Sequence, residues 1–280
     1  MAAGHGAQLS GYIVELGVAA RQSVSRLVRA PSHSRRAEAR RRLARRWLGL
    51  SVATAVAIAF LMFAIDVAVI KAMPPRGDAA LWPLRIFTDF GKSTYVLYAL
   101  AAALIVILLM TPRLGAAAKP VLIAFGLRVQ YVFFSVLFAV LLAEVFKYAI
   151  GRGRPFVGGK ADAFHYSHFA GSPAFESLPS GHATTAFALA FAVSSVWRSA
   201  GPAMWTFAVL ICVSRVALLA HHPSDVVAGA LTGVIGAMAV RYWFAARRLA
   251  FSIGRDGAIA PLPGPPRDAL KRVAREAFAP

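Results

Sequence analysis

The sequence predicts an all-α, polytopic membrane helix bundle of six transmembrane helices with both termini cytoplasmic. Three observations predict it. Of its 280 residues, 58% are hydrophobic, and the mean hydropathy is +0.61; both exceed what a soluble domain carries. Six apolar runs follow one another, and most approach the roughly 20 residues a helix needs to cross a bilayer. The basic residues collect on alternate sides of those runs, as the positive-inside rule demands.

Residues 1–46 form a basic cytoplasmic segment. Ile13, Leu16, Ala20, Val24 and Leu27 share one helical face, followed by Arg35, Arg36, Arg40, Arg41, Arg42, Arg45 and Arg46. That pattern suits an amphipathic helix lying on anionic lipid, or a solvated tail that fixes topology. The transmembrane domain is predicted over 47–246, with spans at about 47–70, 94–111, 121–146, 182–200, 201–220 and 224–246. Breakers separate them: Pro74-Pro75, Pro112, Pro120, Pro155, Gly201-Pro202 and Pro223. The first run begins near Trp47, too late and too long for a cleaved signal sequence, and is expected to stay as an anchor. Residues 247–280, rich in proline and basic residues, are expected to be a mostly disordered cytoplasmic tail with one short helix over Asp268–Phe278.

The net charge of +19 fits anionic lipid better than nucleic acid, because the basic residues flank apolar spans. A single cysteine, Cys212, excludes an intrachain disulfide. On this topology the tails carry most of the Lys and Arg, so the loops 71–93, 147–181 and 221–224 face outward.

Three polar groups stand on those outward loops and at the ends of the spans beside them. The first is Lys147, six residues, then Arg154-Pro155. The second is Pro179-Ser180-Gly181-His182. The third is Ser214-Arg215, five residues, His221, three residues, and Asp225. Charge at the edge of a span is costly and is usually functional. Lys147, Arg154 and Arg215 are cations suited to phosphate oxygens. Ser180 is placed to cap the fourth span, and Gly181 lets a ligand approach a helix N-terminus that itself favours anions. His182 and His221 can perform proton transfer and nucleophilic attack. Asp225 can orient an imidazole, though spacing alone does not choose between His221 and His222.

Together these groups resemble the signature of the type 2 phosphatidic acid phosphatase superfamily, K-x6-RP, PSGH and SR-x5-H-x3-D, with every signature position present. The six-span plan is similar to its integral-membrane branch. The resemblance implies that His221 is the nucleophile and forms a phosphohistidine, that Asp225 orients it, and that His182 protonates the leaving oxygen. It implies that Lys147, Arg154, Ser180, Gly181 and Arg215 bind the phosphoryl oxygens, with no metal and no other cofactor. His222 has no role in the pattern.

Among other candidates, Asp89 and Lys92 are candidate headgroup contacts, placed to line the mouth of the site. Glu144 sits at helical spacing from Lys147, Asp66 reads as structural, and His165 and His168 lack a third ligand for a metal. The expected activity is hydrolysis of a lipid phosphate or pyrophosphate at the outer face of a cytoplasmic membrane, with undecaprenyl pyrophosphate or phosphatidylglycerophosphate leading. Lipid A phosphatase and lipid-to-lipid phosphotransferase are the alternatives. A non-catalytic transporter or scaffold is the remaining class.

Overall fold

A computed structural model of the chain describes residues 2–277; Met1 and 278–280, including the end of the expected tail helix at Phe278, lie outside the described residues. The architecture is all-α but for one small hairpin. Ten α-helices are described: α1 (Ala2–Val28), α2 (Arg36–Phe60), α3 (Asp66–Ala72), α4 (Trp82–Asp89), α5 (Ser93–Met110), α6 (Lys119–Ile150), α7 (Gly181–Val196), α8 (Gly201–Ala217), α9 (Pro223–Ala246) and α10 (Arg267–Ala277). A π-helical turn, Leu61–Ile65, joins α2 to α3.

Five stretches are long and apolar enough to cross a membrane: Arg36–Ala72, Ala79–Arg113, Lys119–Ile150, Arg198–Ala217 and Pro223–Ala246. This is a multi-pass membrane protein. The fourth expected span, α7, has 16 residues, about 24 Å at 1.5 Å per residue, against a hydrocarbon core of about 30 Å. Of the long stretches, α9 is the most enclosed by protein and Ala79–Arg113 the least.

The chain divides into two compact units. The first comprises residues up to Arg40, Ala99–Phe133 and the chain from Arg241 onward. Here the expectation of a mostly disordered tail fails. Strands β1 (Phe251–Ile253) and β2 (Ile259–Pro261) pair antiparallel, and α10 closes the chain. The cause is packing. Tyr131 of α6 meets Phe244 and Phe251 edge-on at 5.5 and 4.7 Å. Arg128, buried in α6, donates to the carbonyls of Leu262 and Pro263, each at 2.9 Å. A buried guanidinium must find acceptors, and the tail's free carbonyls supply them. Val273 and Ala277 of α10 then join Leu114, Ala118 and Leu122 in a small core.

The second unit, Arg41–Tyr98 and Phe134–Val240, holds the three motifs. Its helices approach closely through small residues. Ala186 and Ala190 of α7 pack with Ala208 and Ile211 of α8. Val136 and Ala139 of α6 pack with Ala188 of α7 and Ala237 of α9. Along α9, Gly229 and Gly233 face α7. A Cβ on Gly229 would fall 2.5 Å from the Ser180 carbonyl, and one on Gly233 would collide with the backbone of Thr184 and Ala188. This is the small-xxx-small packing of membrane helices, in which backbones rather than bulky side chains meet.

Candidate active site

Four helix ends assemble the site. Gly151, in a left-handed conformation (φ 59°), ends α6 by donating its amide to the Lys147 carbonyl at 2.9 Å. Such a stop suits glycine, which has no Cβ to strain. Lys147 lies in the last turn. Its ammonium pairs with Glu144 at 2.6 Å, the pairing expected from their spacing. It also lies 3.1 Å from where a Cβ of Gly181 would be, over the first turn of α7.

The chain beyond Gly151 turns inward. Arg154 donates from Nε to the Pro173 carbonyl at 2.8 Å and from a terminal nitrogen to the Ala220 carbonyl at 3.4 Å. Burial pushes its pKa below the ordinary arginine value, opposed by the charges of Glu176 and Asp225.

Ser180 occupies the N-cap position of α7 and donates its amide to the Asp225 carbonyl at 3.0 Å. The expected side-chain cap is not made. Its hydroxyl is buried and bonds nothing, and the same holds for His182 Nε2 and Arg215 Nε. The first amides of α7 lack intrahelical partners, as at any helix start.

Arg215, in the last turn of α8, donates to Thr88 Oγ1 at 3.3 Å, and Ser214 donates to the same oxygen at 3.0 Å. Thr88 lies in the last turn of α4, held there because Gly91 backs directly onto Ile211 of α8. Arg215, His221, Lys92 and Lys147 all lie within charge range of His182. Asp89 and Lys92 pair with each other at 2.8 Å, both part-exposed.

His221 sits in the turn between α8 and α9. Its Nδ1 faces the Ser177 carbonyl oxygen at 2.9 Å. A carbonyl only accepts, so Nδ1 carries the proton and Nε2 keeps its lone pair. Burial lowers the pKa of His221 to about 4, although Asp225 pulls the other way. The ring is therefore neutral at physiological pH, with the Nε2 lone pair free.

Asp225 does not bond His221 directly: its Oδ2 is 3.8 Å from His221 Nδ1, beyond hydrogen-bond range. Instead Oδ2 accepts from the Ser177 hydroxyl at 2.6 Å, from the His222 amide at 2.8 Å and from His222 Nδ1 at 3.1 Å. Ser177 thus links the two, holding the imidazole by its carbonyl and the carboxylate by its hydroxyl. His222 fixes the carboxylate and is itself fully buried.

Behind this lies a buried ionic knot. Arg152, fully enclosed, donates to Asp225 Oδ1 at 2.7 Å, to Asp66 Oδ2 at 2.8 Å, to Ser224 Oγ at 2.6 Å and to the Ala163 carbonyl at 3.0 Å. Asp66 also accepts from the amide and hydroxyl of Ser224. Burial alone would lower the pKa of Arg152, but Asp225 and Asp66 raise it, so it stays charged. Buried ions persist only when paired and hydrogen-bonded in this way. Arg152, Ser177 and Ser224 were not singled out in the sequence. The signal was Asp66, a carboxylate near the end of an apolar run that needs a cation.

No group of three or more His, Cys, Asp or Glu is placed to hold a metal among the described residues. His165 contacts the Val157 carbonyl at 3.2 Å and the edge of Phe175, and His168 stacks on Tyr166.

What this geometry can do is bind an anion and attack it. Ser180, His182 and Arg215 present unpartnered polar atoms, Lys147 lies over the helix start, and a neutral imidazole stands within the same charge field. Residues 128–249 match the model of the PAP2 superfamily. The chain is 32% identical over 209 residues to a lipid A 1-phosphatase of Rhizobium johnstonii, covering 72% of this chain and 82% of that one. It is 30% identical over 218 residues to a lipid A 1-phosphatase of Rhizobium etli, covering 76% and 91% respectively. No solved structure matches it. The three motifs, their convergence on one buried imidazole and this similarity lead to one conclusion: the chain belongs to the PAP2 superfamily and is a membrane phosphatase that hydrolyses a lipid phosphate monoester.

Proposed function

We propose that this enzyme removes a phosphate monoester from a lipid A-type glycolipid at the outer face of the cytoplasmic membrane. The similarity to two lipid A 1-phosphatases supports this substrate over undecaprenyl pyrophosphate and phosphatidylglycerophosphate, which the sequence alone ranked first. The charge asymmetry of the chain supports six spans, α7 included, with both tails cytoplasmic and the motifs outward. In this reading residues 47–246 are the phosphatase domain, 1–46 a basic surface segment that meets anionic lipid, and 247–280 a cytoplasmic tail.

One observation carries the catalytic reading. Three buried polar atoms from two motifs, Ser180 Oγ, His182 Nε2 and Arg215 Nε, have no protein partner, a lack that a bound ligand would make good. A tetrahedral phosphoryl group offers oxygens for the hydroxyl and the guanidinium, and its ester oxygen for the imidazole.

The reaction then follows. His221 Nε2 attacks phosphorus, forming a P–N bond as the P–O bond to the lipid breaks. His182 gives its proton to the departing oxygen. Lys147, Arg154, Arg215 and the Gly181 region hold the three phosphoryl oxygens and stabilise their charge in the transition state. Water next attacks phosphorus and gives a proton back to His182, and inorganic phosphate leaves from His221. Asp225, acting through Ser177, steadies the ring when it becomes cationic. Cations and amides carry the charge throughout, without a metal. Asp89 and Lys92 stand at the mouth as headgroup contacts.

The test is phosphate release by purified protein from lipid A, undecaprenyl pyrophosphate and phosphatidylglycerophosphate, with His221→Ala as control. Release from lipid A at the highest kcat/KM, abolished in the variant, is expected. Preference for a pyrophosphate lipid would overturn the substrate, and an active variant would overturn the nucleophile.

A further inference from the structure

We propose that α1, α5 and α6 enclose a binding site for an anionic glycerophospholipid, separate from the phosphatase chemistry. A cavity of about 210 Å³ opens between these helices within the first unit. Leu104, Ile107 and Leu127 give it apolar walls, and Ser23, Arg26 and Gln130 give it a polar end.

Two features make it a ligand site rather than a packing gap. The Gln130 carboxamide is satisfied at one end only: its nitrogen donates to Ser23 Oγ at 2.5 Å, while its oxygen is buried without a partner. The guanidinium of Arg26, lining the same space, makes no hydrogen bond or ion pair among the described residues. A guanidinium and a half-satisfied amide beside an aliphatic wall match a phosphodiester, an ester or hydroxyl group, and an acyl chain in that order.

The walls are held apart by contacts elsewhere along α1. Tyr12 donates to the Leu109 carbonyl at 2.7 Å, and Glu15 pairs with Lys119 at 2.9 Å. Helix α1 is thereby clamped to both neighbours, and the space between is not free to collapse. Charge selects the occupant: Arg21 and Arg26 follow Glu15 on α1, and Arg29 comes just past its end, so an anionic headgroup is favoured over a zwitterionic one.

The test is native mass spectrometry of the full chain after exposure to vesicles of phosphatidylglycerol or of phosphatidylcholine. Retention of phosphatidylglycerol about tenfold above phosphatidylcholine is expected, as is its fall to the phosphatidylcholine level in Arg26→Gln. Ala19→Leu, which leaves every polar group in place and fills the cavity from the α1 wall, should reduce retention of both lipids. Equal retention of the two lipids by wild type, or wild-type phosphatidylglycerol retention by both variants, would overturn the site. Phosphatase activity does not enter the readout.

Discussion

His221 donates from Nδ1 to the backbone carbonyl of Ser177 at 2.9 Å, while the Ser177 hydroxyl donates to Asp225 at 2.6 Å. One residue therefore holds both members of the pair. Ser177→Ala keeps the carbonyl and removes the hydroxyl, leaving the tautomer of His221 intact and Asp225 short of one donor. Hydrogen bonds to charged groups contribute about 1.5–3 kcal/mol, so kcat should fall roughly tenfold to a hundredfold. KM should change little, because Ser177 touches no phosphate ligand. Steady-state kinetics on one lipid phosphate decide it, and an unchanged kcat would remove Ser177 from the mechanism.

The acid side of the site follows from burial of His221. Its pKa falls from the ordinary 6.5 to about 4. The neutral, reactive form thus persists down to about pH 4. For stability the sign is the usual one for a depressed histidine: the unfolded chain takes up the proton first. Stability is lost as pH falls from about 6.5 to about 4 and is flat with respect to this group outside that window. Nitrogen NMR of histidine-labelled protein should show His221 as the Nδ1–H tautomer at pH 5. A titration near 6.5 would show the ring to be solvated instead.

Asp66→Asn tests the ionic knot. The substitution leaves Arg152 with one carboxylate instead of two in a site without water access. Removing one partner of a buried pair costs about 3–5 kcal/mol. A lower melting temperature is expected together with reduced activity, since Arg152 also fixes Asp225. Arg152→Lys should show the same losses, because one ammonium cannot reach Asp225, Asp66, Ser224 and the Ala163 carbonyl at once.

How much of this the sequence carried depends on the residue. The three motifs announced the site because charge beside apolar runs is conspicuous and their spacing is specific. The partner of Asp225 was not legible. Spacing put His221 and His222 equally near it, and only the fold shows His222 bonding it directly while Ser177 intervenes before His221. Arg152 belongs to no motif, and nothing in sequence shows that Asp66, from a distant helix, meets it. Ser180 fitted a capping position by type, yet its hydroxyl is left unbonded. The tail composition suggested disorder because Arg128, the residue that holds it, lies more than a hundred positions away.

Helix packing makes a separate prediction. Gly229 of α9 backs onto the Ser180 carbonyl, where an added Cβ would lie 2.5 Å away. That carbonyl is backbone and cannot yield. Gly229→Val should push α9 from the start of α7, displacing Ser180 and Asp225 together, because the Ser180 amide bonds the Asp225 carbonyl. Loss of activity with reduced thermal stability in detergent is expected. Gly49→Val, where no atom lies within 4 Å of the added Cβ, is the control that should behave as wild type.

The mouth of the site offers a change in binding without a change in chemistry. Lys92 pairs with Asp89 at 2.8 Å and lies within charge range of His182 and Arg215. Both side chains are part-exposed, so solvent screens them and each contributes modestly. Lys92→Ala should raise KM for an anionic headgroup roughly threefold with kcat nearly constant. Asp89→Ala should do the reverse, because it frees the Lys92 ammonium for the substrate and removes a carboxylate that repels phosphate. Both effects should fade at high salt. A fall in kcat in either variant would instead assign the pair to the reacting centre, through His182.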